Sequence, residues 1–256
     1  MLVRWLERLF KWLLLLSLPL FGAAYLGKDK LPDPAFYGAA IPGEPRQSQT
    51  LHPSFMTEVN GQQYHIDPLF DYVLEGVVVS YHDADAITDI THHRRWQDFL
   101  NVRDLCVIWG ENLASGVYQE MQFHNDSWTC WASWPDRATG DRFHMTQLSN
   151  NHLLVDDPEI KRRLLAAAPG DRVRLRGTLA NYANPANGFR RNTSTVRTDT
   201  GNGACETVYL REFSILQRAN PGMRNLFTTT KWLLILSLSG FLIMLFIAPV
   251  AKPRFR

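Results

Sequence analysis

The sequence predicts a mainly β domain flanked by an N-terminal and a C-terminal transmembrane helix. Three observations carry this expectation. Uncharged apolar runs occupy residues 12–27 and 232–251. Between them, short β-branched or alternating segments recur from Leu74 to Leu216. Only one clear segment, residues 156–170, switches to the helical period.

The ends come first. A membrane-spanning helix needs about 20 mostly apolar residues. The second run meets that length. The first reaches it once Leu9 and Phe10 are included and Lys11 extends its amine toward the headgroups. Arg4, Arg8 and Lys11 face only Glu7 at the N-terminal tip, and the tail carries Lys252, Arg254 and Arg256 without an acid. Basic residues beside spans favour the cytoplasmic side. Both termini are therefore expected in the cytoplasm of a bacterial inner-membrane protein, with the centre in the periplasm. An alternative treats the first run as a cleaved signal peptide, given its basic start and small residues Gly22 and Ala24 at the exit. The centre is exported under either reading.

The expected organisation is a tip and transmembrane helix over 1–27, an extended linker and lead-in over 28–70 and a periplasmic domain over 71–218. A short linker over 219–230, a transmembrane helix over 231–251 and a basic cytoplasmic tail over 252–256 complete it. Pro and Gly in "KDKLPDP" and "IPGEP" suit an extended spacer. Residues 28–230 hold 20 Lys and Arg against 24 Asp and Glu, so the chain's net charge of +2 comes from its membrane flanks. An acidic exported domain argues against nucleic acid as the partner. All three cysteines lie in this domain. In an oxidising compartment a pair is expected to join, and Cys106 with Cys130, each on a predicted strand, is the expected pair; three free buried thiols are the alternative.

The elements of the domain follow in order. Residues 74–82 form a short β-branched strand, and residues 104–110 form another that ends at Gly110. Residues 116–134 alternate apolar and polar side chains, as two strands or one bent strand. Helix signals then gather at 156–170: Asp156 or Asp157 as cap, Pro158 in the first turn and Glu159 at the positive end of the dipole. Ile160, Leu164 and Leu165 share a face, and Pro169-Gly170 stops the helix. In residues 171–182, Val173 and Leu175 alternate with Arg172, Arg174 and Arg176. Residues 206–216 make the last strand.

The helix, the pattern Gly170-Asp171-x-Val173-x-Leu175-x-Gly177-x-Leu179 and the closing Phe213, Ile215 and Leu216 resemble the second half of an OB-fold. That resemblance implies a five-stranded Greek-key barrel with one helix between strands three and four. Residues 74–82 and 104–110 would be strands one and two, residues 128–134 or a neighbour strand three, 171–182 strand four and 206–216 strand five. The likeness spans residues 71–216 and is best over 156–216. It also implies that the one-two loop and the four-five loop border a ligand face.

Candidate chemistry gathers in three places. "YHDADAITDITHHRRW" packs His82, Asp85, Asp89 and His92 at spacings of three and four, as a helix would space metal ligands or acid/base groups. His82, Asp85 and His92 are the expected metal ligands if a divalent ion binds. Neither HExxH nor CxxC is present, and the plain alternative is a polar connection packing Ile87, Ile90 and Trp96 inward. "QLSNNHLLVDD" supplies Ser149, His152, Asp156 and Asp157, but no nucleophile elbow frames the serine, so an Asn-rich turn is expected. Residues 161–199 hold nine Lys and Arg against two acids. There Arg172, Arg174, Arg176, Arg190, Arg191 and Arg197 form the expected anion-recognition set, since guanidinium forks match phosphate and carboxylate. Trp109, Trp128, Trp131 and Trp134 crowd one stretch, with burial the expected outcome.

The function that follows is a binding or assembly module, an accessory subunit of a cell-envelope complex, with no required cofactor. Its partner would be another envelope or membrane protein, or an anionic glycan or lipid headgroup. Two alternatives are a metal-dependent hydrolase using His82, Asp85, Asp89 and His92, and a nucleic-acid-binding OB domain.

Overall fold

The computed structural model describes residues 2–86, 88–89, 91–201 and 204–247. The basic tail, Ile87, Ile90 and residues 202–203 lie outside the described residues. The chain forms two compact units, residues 31–219 and the pair of terminal segments 2–30 and 220–247.

The chain opens with helix α1 (Leu2–Gly27) and enters the central unit through β1 (Arg46–Gln49) and β2 (Phe55–Val59). β3 (Gln62–His82) is followed by a loop and a wide, π-type turn, Thr91–Trp96, then by β4 (Asn101–Ile108). An excursion carries α2 (Gly110–Ala114), β5 (Gln122–Asn125), β6 (Cys130–Ser133) and α3 (Arg137–Arg142). The chain continues through β7 (Leu148–Leu154), α4 (Pro158–Leu165), β8 (Arg172–Asn184), β9 (Phe189–Arg191) and β10 (Glu206–Gln217), and α5 (Pro221–Ile247) closes the description.

The central unit is built on an eight-stranded mixed sheet with β5 and β6 apart as a two-stranded ribbon. β3 pairs β8 over His65–Val77 and β4 over Val77–His82. β4 pairs β7, β7 runs parallel to β10, and β10 pairs β8. The path of pairings therefore returns to β3. Its inner face buries Leu74, Leu105, Leu153, Leu175, Val208 and Phe213 in one cluster.

Three expectations change. The first strand begins at Gln62, not at Leu74. Tyr64, Ile66, Tyr72 and Leu74 are all fully buried, and Pro68 sits at a register shift between Pro68 and Phe70. A proline is tolerated in a strand at such an irregularity, so it hides a strand without breaking it. With β1 and β2 also paired to β3, much of the expected linker 28–70 lies in the sheet.

The third strand is β7, not residues 128–134. Ser149, Asn150, Asn151 and His152 look like turn residues, yet all four are buried because partners await them. The Asn151 amide donates to Leu105 O at 3.2 Å, and the Ser149 hydroxyl donates to Glu206. The tryptophan-rich segment instead forms the β5–β6 ribbon. Trp109 is buried, whereas Trp128, Trp131 and Trp134 are exposed.

α4 forms where its signals lie. The Asp157 carboxylate accepts from the Glu159 and Ile160 amides at 2.7 and 3.1 Å, and Leu164 is buried. In the terminal unit, α1 and α5 are both long and apolar enough to cross a membrane. Phe21 stacks on Phe227 with centroids 5.0 Å apart, and the ring of Phe10 fills the space a side chain at Gly240 would occupy. These contacts make the helices antiparallel. Ser17, Ala24, Thr230 and Ser237 are buried, and such small residues allow helices to approach in an apolar solvent.

Cys106 and Cys130 lie at disulfide distance, Cα to Cα 5.8 Å and 24 residues apart, while Cys205 is free. Digestion without reductant is expected to give one linked Cys106–Cys130 peptide pair by mass spectrometry, and loss of the link should destabilise the domain by about 3 kcal/mol. Gly177 lies where β3, β8 and β10 meet, and a Cβ there would collide with Tyr209 O. Gly177→Ala is expected to cost about 1–3 kcal/mol in a denaturant melt.

Candidate functional site

Strand register assembles a polar row. His82 of β3 stands opposite Asp104 of β4, Asp104 opposite His152 of β7, and His152 opposite Thr207 of β10. Opposed residues share a sheet face, so four polar side chains run across four strands. Their chain neighbours Leu105, Leu153 and Val208 belong to the inner core. Since side chains alternate along a strand, the row occupies the other face.

At its centre, Asp104 Oδ1 lies 2.7 Å from His152 Nδ1, and both side chains are fully buried. Arg191 Nη2 lies 2.6 Å from His152 Nε2. The Asp104 contact is short but poorly aligned for a hydrogen bond; distance governs its Coulomb attraction. Burial lowers the pKa of His152, Asp104 opposes this, and Arg191 adds to the lowering. The imidazole thus stays neutral. Its Nδ1–H faces the carboxylate and its Nε2 lone pair accepts from the guanidinium. Burial pushes the Asp104 carboxyl up, but His152, Arg191 and the Asn101 amide outweigh it and hold the group below its usual range.

Beside this pair, Asp89 joins two histidines. His82 Nε2 and His92 Nδ1 each lie 2.7 Å from Asp89 Oδ2, and the His92 amide donates to Oδ1 at 3.0 Å. The π-type turn carries His92 inward until it is fully buried. Such turns often mark functional positions. Burial raises the Asp89 pKa, but the His92 amide and both imidazoles reverse the shift. An aromatic wall closes over the histidine: Trp96 and Trp128 each have centroids 5.3 Å from the His92 ring, and the Arg191 guanidinium lies 4.8 Å from the Trp128 centroid. Tyr182 donates to Asp98 at 2.6 Å behind it. Several buried polar atoms here have no protein partner among the described residues: His92 Nε2, Asn101 Oδ1, Asp104 Oδ2 and Arg191 Nη1.

The structure redistributes the predicted site residues. His82, Asp89 and His92 come together, whereas Asp85 turns away to pair with Lys161 at 2.9 Å. No regular helix spaces them; a strand end, a loop and the wide turn do. Ser149 bonds Glu206 on the core face, and Asp156 accepts from Tyr209 and Thr57. Ser149, His152 and Asp156 therefore form no triad.

The six arginines split among five places instead of forming one surface. Arg172 and Arg174 share the Glu75 carboxylate. Arg174 and Arg176 line a groove of about 970 Å³ with Arg46, Arg211 and His52, against Asp71 and Glu212. Arg190 is exposed on β9, Arg191 belongs to the polar row, and Arg197 pairs with Glu206 beneath Tyr72. Arg46 and Arg211 escape a sequence reading because one lies in a proline-rich stretch and the other beside an acid in the last strand. Asp104 and Arg191 escape as participants because only strand register brings them to His152.

The depressed His152 pKa has a consequence for stability. An unfolded His152 protonates near 6.5 while the folded one resists, so the unfolded state binds more protons as pH falls and stability drops below that value. A further loss follows once pH falls past the carboxylate range, because folded Asp104 resists protonation. In thermal melts of the full chain in detergent, the loss between about pH 7 and pH 5 should be present in the wild type and reduced in His152→Gln. Compared with known proteins, the chain matches no family model, no curated protein and no solved structure.

Proposed function

We propose that the chain is an inner-membrane-anchored periplasmic binding or assembly module, serving as an accessory subunit of a cell-envelope complex. Its central domain is an OB-type barrel whose arginine groove takes an anionic partner. The groove carries the proposal: Arg46, Arg174, Arg176 and Arg211 converge on one concavity against two acids, inside a domain that is acidic overall. Guanidinium forks pair in bidentate fashion with carboxylate or phosphate. The partner is an acidic segment of another envelope protein, or an anionic glycan or lipid headgroup.

The barrel reading is supported by pairings that run β3–β4–β7–β10–β8 and return to β3, with α4 between β7 and β8, the third and fourth of these strands in chain order. The topology is supported by the antiparallel pairing of α1 with α5, because antiparallel spans carry their outer ends to one side. Those ends are basic, and basic flanks stay in the cytoplasm. The acidic domain remains the argument against a nucleic-acid partner.

Affinity purification of the full chain from gently solubilised membranes tests this reading. Arg174→Glu combined with Arg176→Glu should remove the co-purifying partner, and moderate salt should weaken its capture from wild type. Unchanged co-purification by the double variant would sink the groove as the binding surface.

A further inference from the structure

We propose that His82, Asp89 and His92 form a binding site for one divalent ion of the zinc type. This stands independently of the arginine groove, which is lined by other residues. Three side chains from three kinds of local structure meet at one point. Their ligand atoms all lie within 4.8 Å of one another, and two imidazole nitrogens approach the same carboxylate oxygen at 2.7 Å. Ligands around a tetrahedral zinc ion sit about 2.0–2.2 Å from the metal, hence about 3.3 Å from each other. Metal binding therefore needs the Asp89 oxygen to draw back from both nitrogens, which already lie within 4.8 Å of each other.

A plain hydrogen-bonded His–Asp–His cluster is the competing account, and two observations weigh against it. First, it spends two imidazoles on one carboxylate oxygen and leaves Nε2 of the fully buried His92 without a protein partner. In the metal-bound tautomer, His92 coordinates through Nδ1 and carries its proton on that Nε2, beside the Trp96 and Trp128 rings. Second, Asp104 stands directly opposite His82 in the sheet, fully buried, with Oδ2 unpartnered. This places a further oxygen donor opposite His82, with one lone-pair face still open among the described residues.

The donor set also selects the ion. Two nitrogens and one oxygen suit zinc and its transition-metal neighbours, while calcium and magnesium prefer all-oxygen shells. Three protein ligands leave one coordination position for water or for a donor of a bound molecule. The His82 side chain is 23% exposed, so an ion can reach the site from its side.

The test uses the full chain in detergent, freed of any affinity tag, stripped with EDTA and reloaded with zinc or cobalt(II). About one metal per chain should be retained, with a visible cobalt ligand-field band. Asp89→Asn and His82→Ala should each weaken zinc binding by more than the roughly 10–100-fold that loss of an outer-shell partner costs. His124→Ala, on the separate ribbon, should bind as wild type. Zinc should also protect His82 of the wild-type chain from diethylpyrocarbonate, read by peptide mass spectrometry, a readout that needs no variant to fold. Failure of the wild type to retain metal, unchanged binding in both site variants or unprotected His82 would each overturn the proposal.

Discussion

The double pairing of β3 is the constraint on which the rest of the central unit depends. One strand supplies an edge to β8 along its first part and an edge to β4 along its last. The change of partner near Val77 turns the sheet back on itself, and Gly76 marks the crossing: a Cβ there would lie 2.6 Å from Ile108 O. Only a residue without a side chain allows the strands to come so close. Because β3 ends at His82, the same pairing delivers that histidine to the row formed by Asp104 and His152.

Burying this row is expensive. An ionised carboxylate, a guanidinium and several imidazoles leave water, and each costs several kcal/mol unless paired and hydrogen-bonded. The protein offsets the cost by bridging Asp104 and Arg191 through the neutral His152 imidazole, and by laying Trp128 against the guanidinium. Such a network contributes less to net stability than hydrophobic side chains of equal volume would. Its chemistry therefore points to a use. The groove follows the opposite logic: Arg174, which shares the Glu75 carboxylate, keeps half of its side chain exposed to water.

The terminal unit follows the physics of an apolar solvent. α1 and α5 place hydroxyl and small side chains at their contact, and the Thr230 and Ser237 hydroxyls donate back to carbonyls one turn earlier. Polar contacts add to this packing at one end, where the Asn220 amide donates to Lys30 O at 2.6 Å and Arg224 Nε donates to Lys28 O at 3.2 Å.

Local signals determined much of this protein: the two apolar helices, the capped helix after Asp157, the arginine-alternating strand β8 and the last strand. Each depends on residues adjacent in the chain or on a composition that only one environment accepts. Tertiary structure alone decided the rest. β7 reads as a turn until Leu105 and Glu206 supply its partners, and the first half of β3 is masked by Pro68 until a register shift accommodates it. The acidic stretch after β3 contains the right histidines for a site, but helical spacing pairs them with both Asp85 and Asp89, whereas the actual loop sends Asp85 to Lys161 and keeps only Asp89 between His82 and His92. Spacing along a chain determines neighbours only inside a regular element. Across strands and loops, register and burial choose which side chains meet.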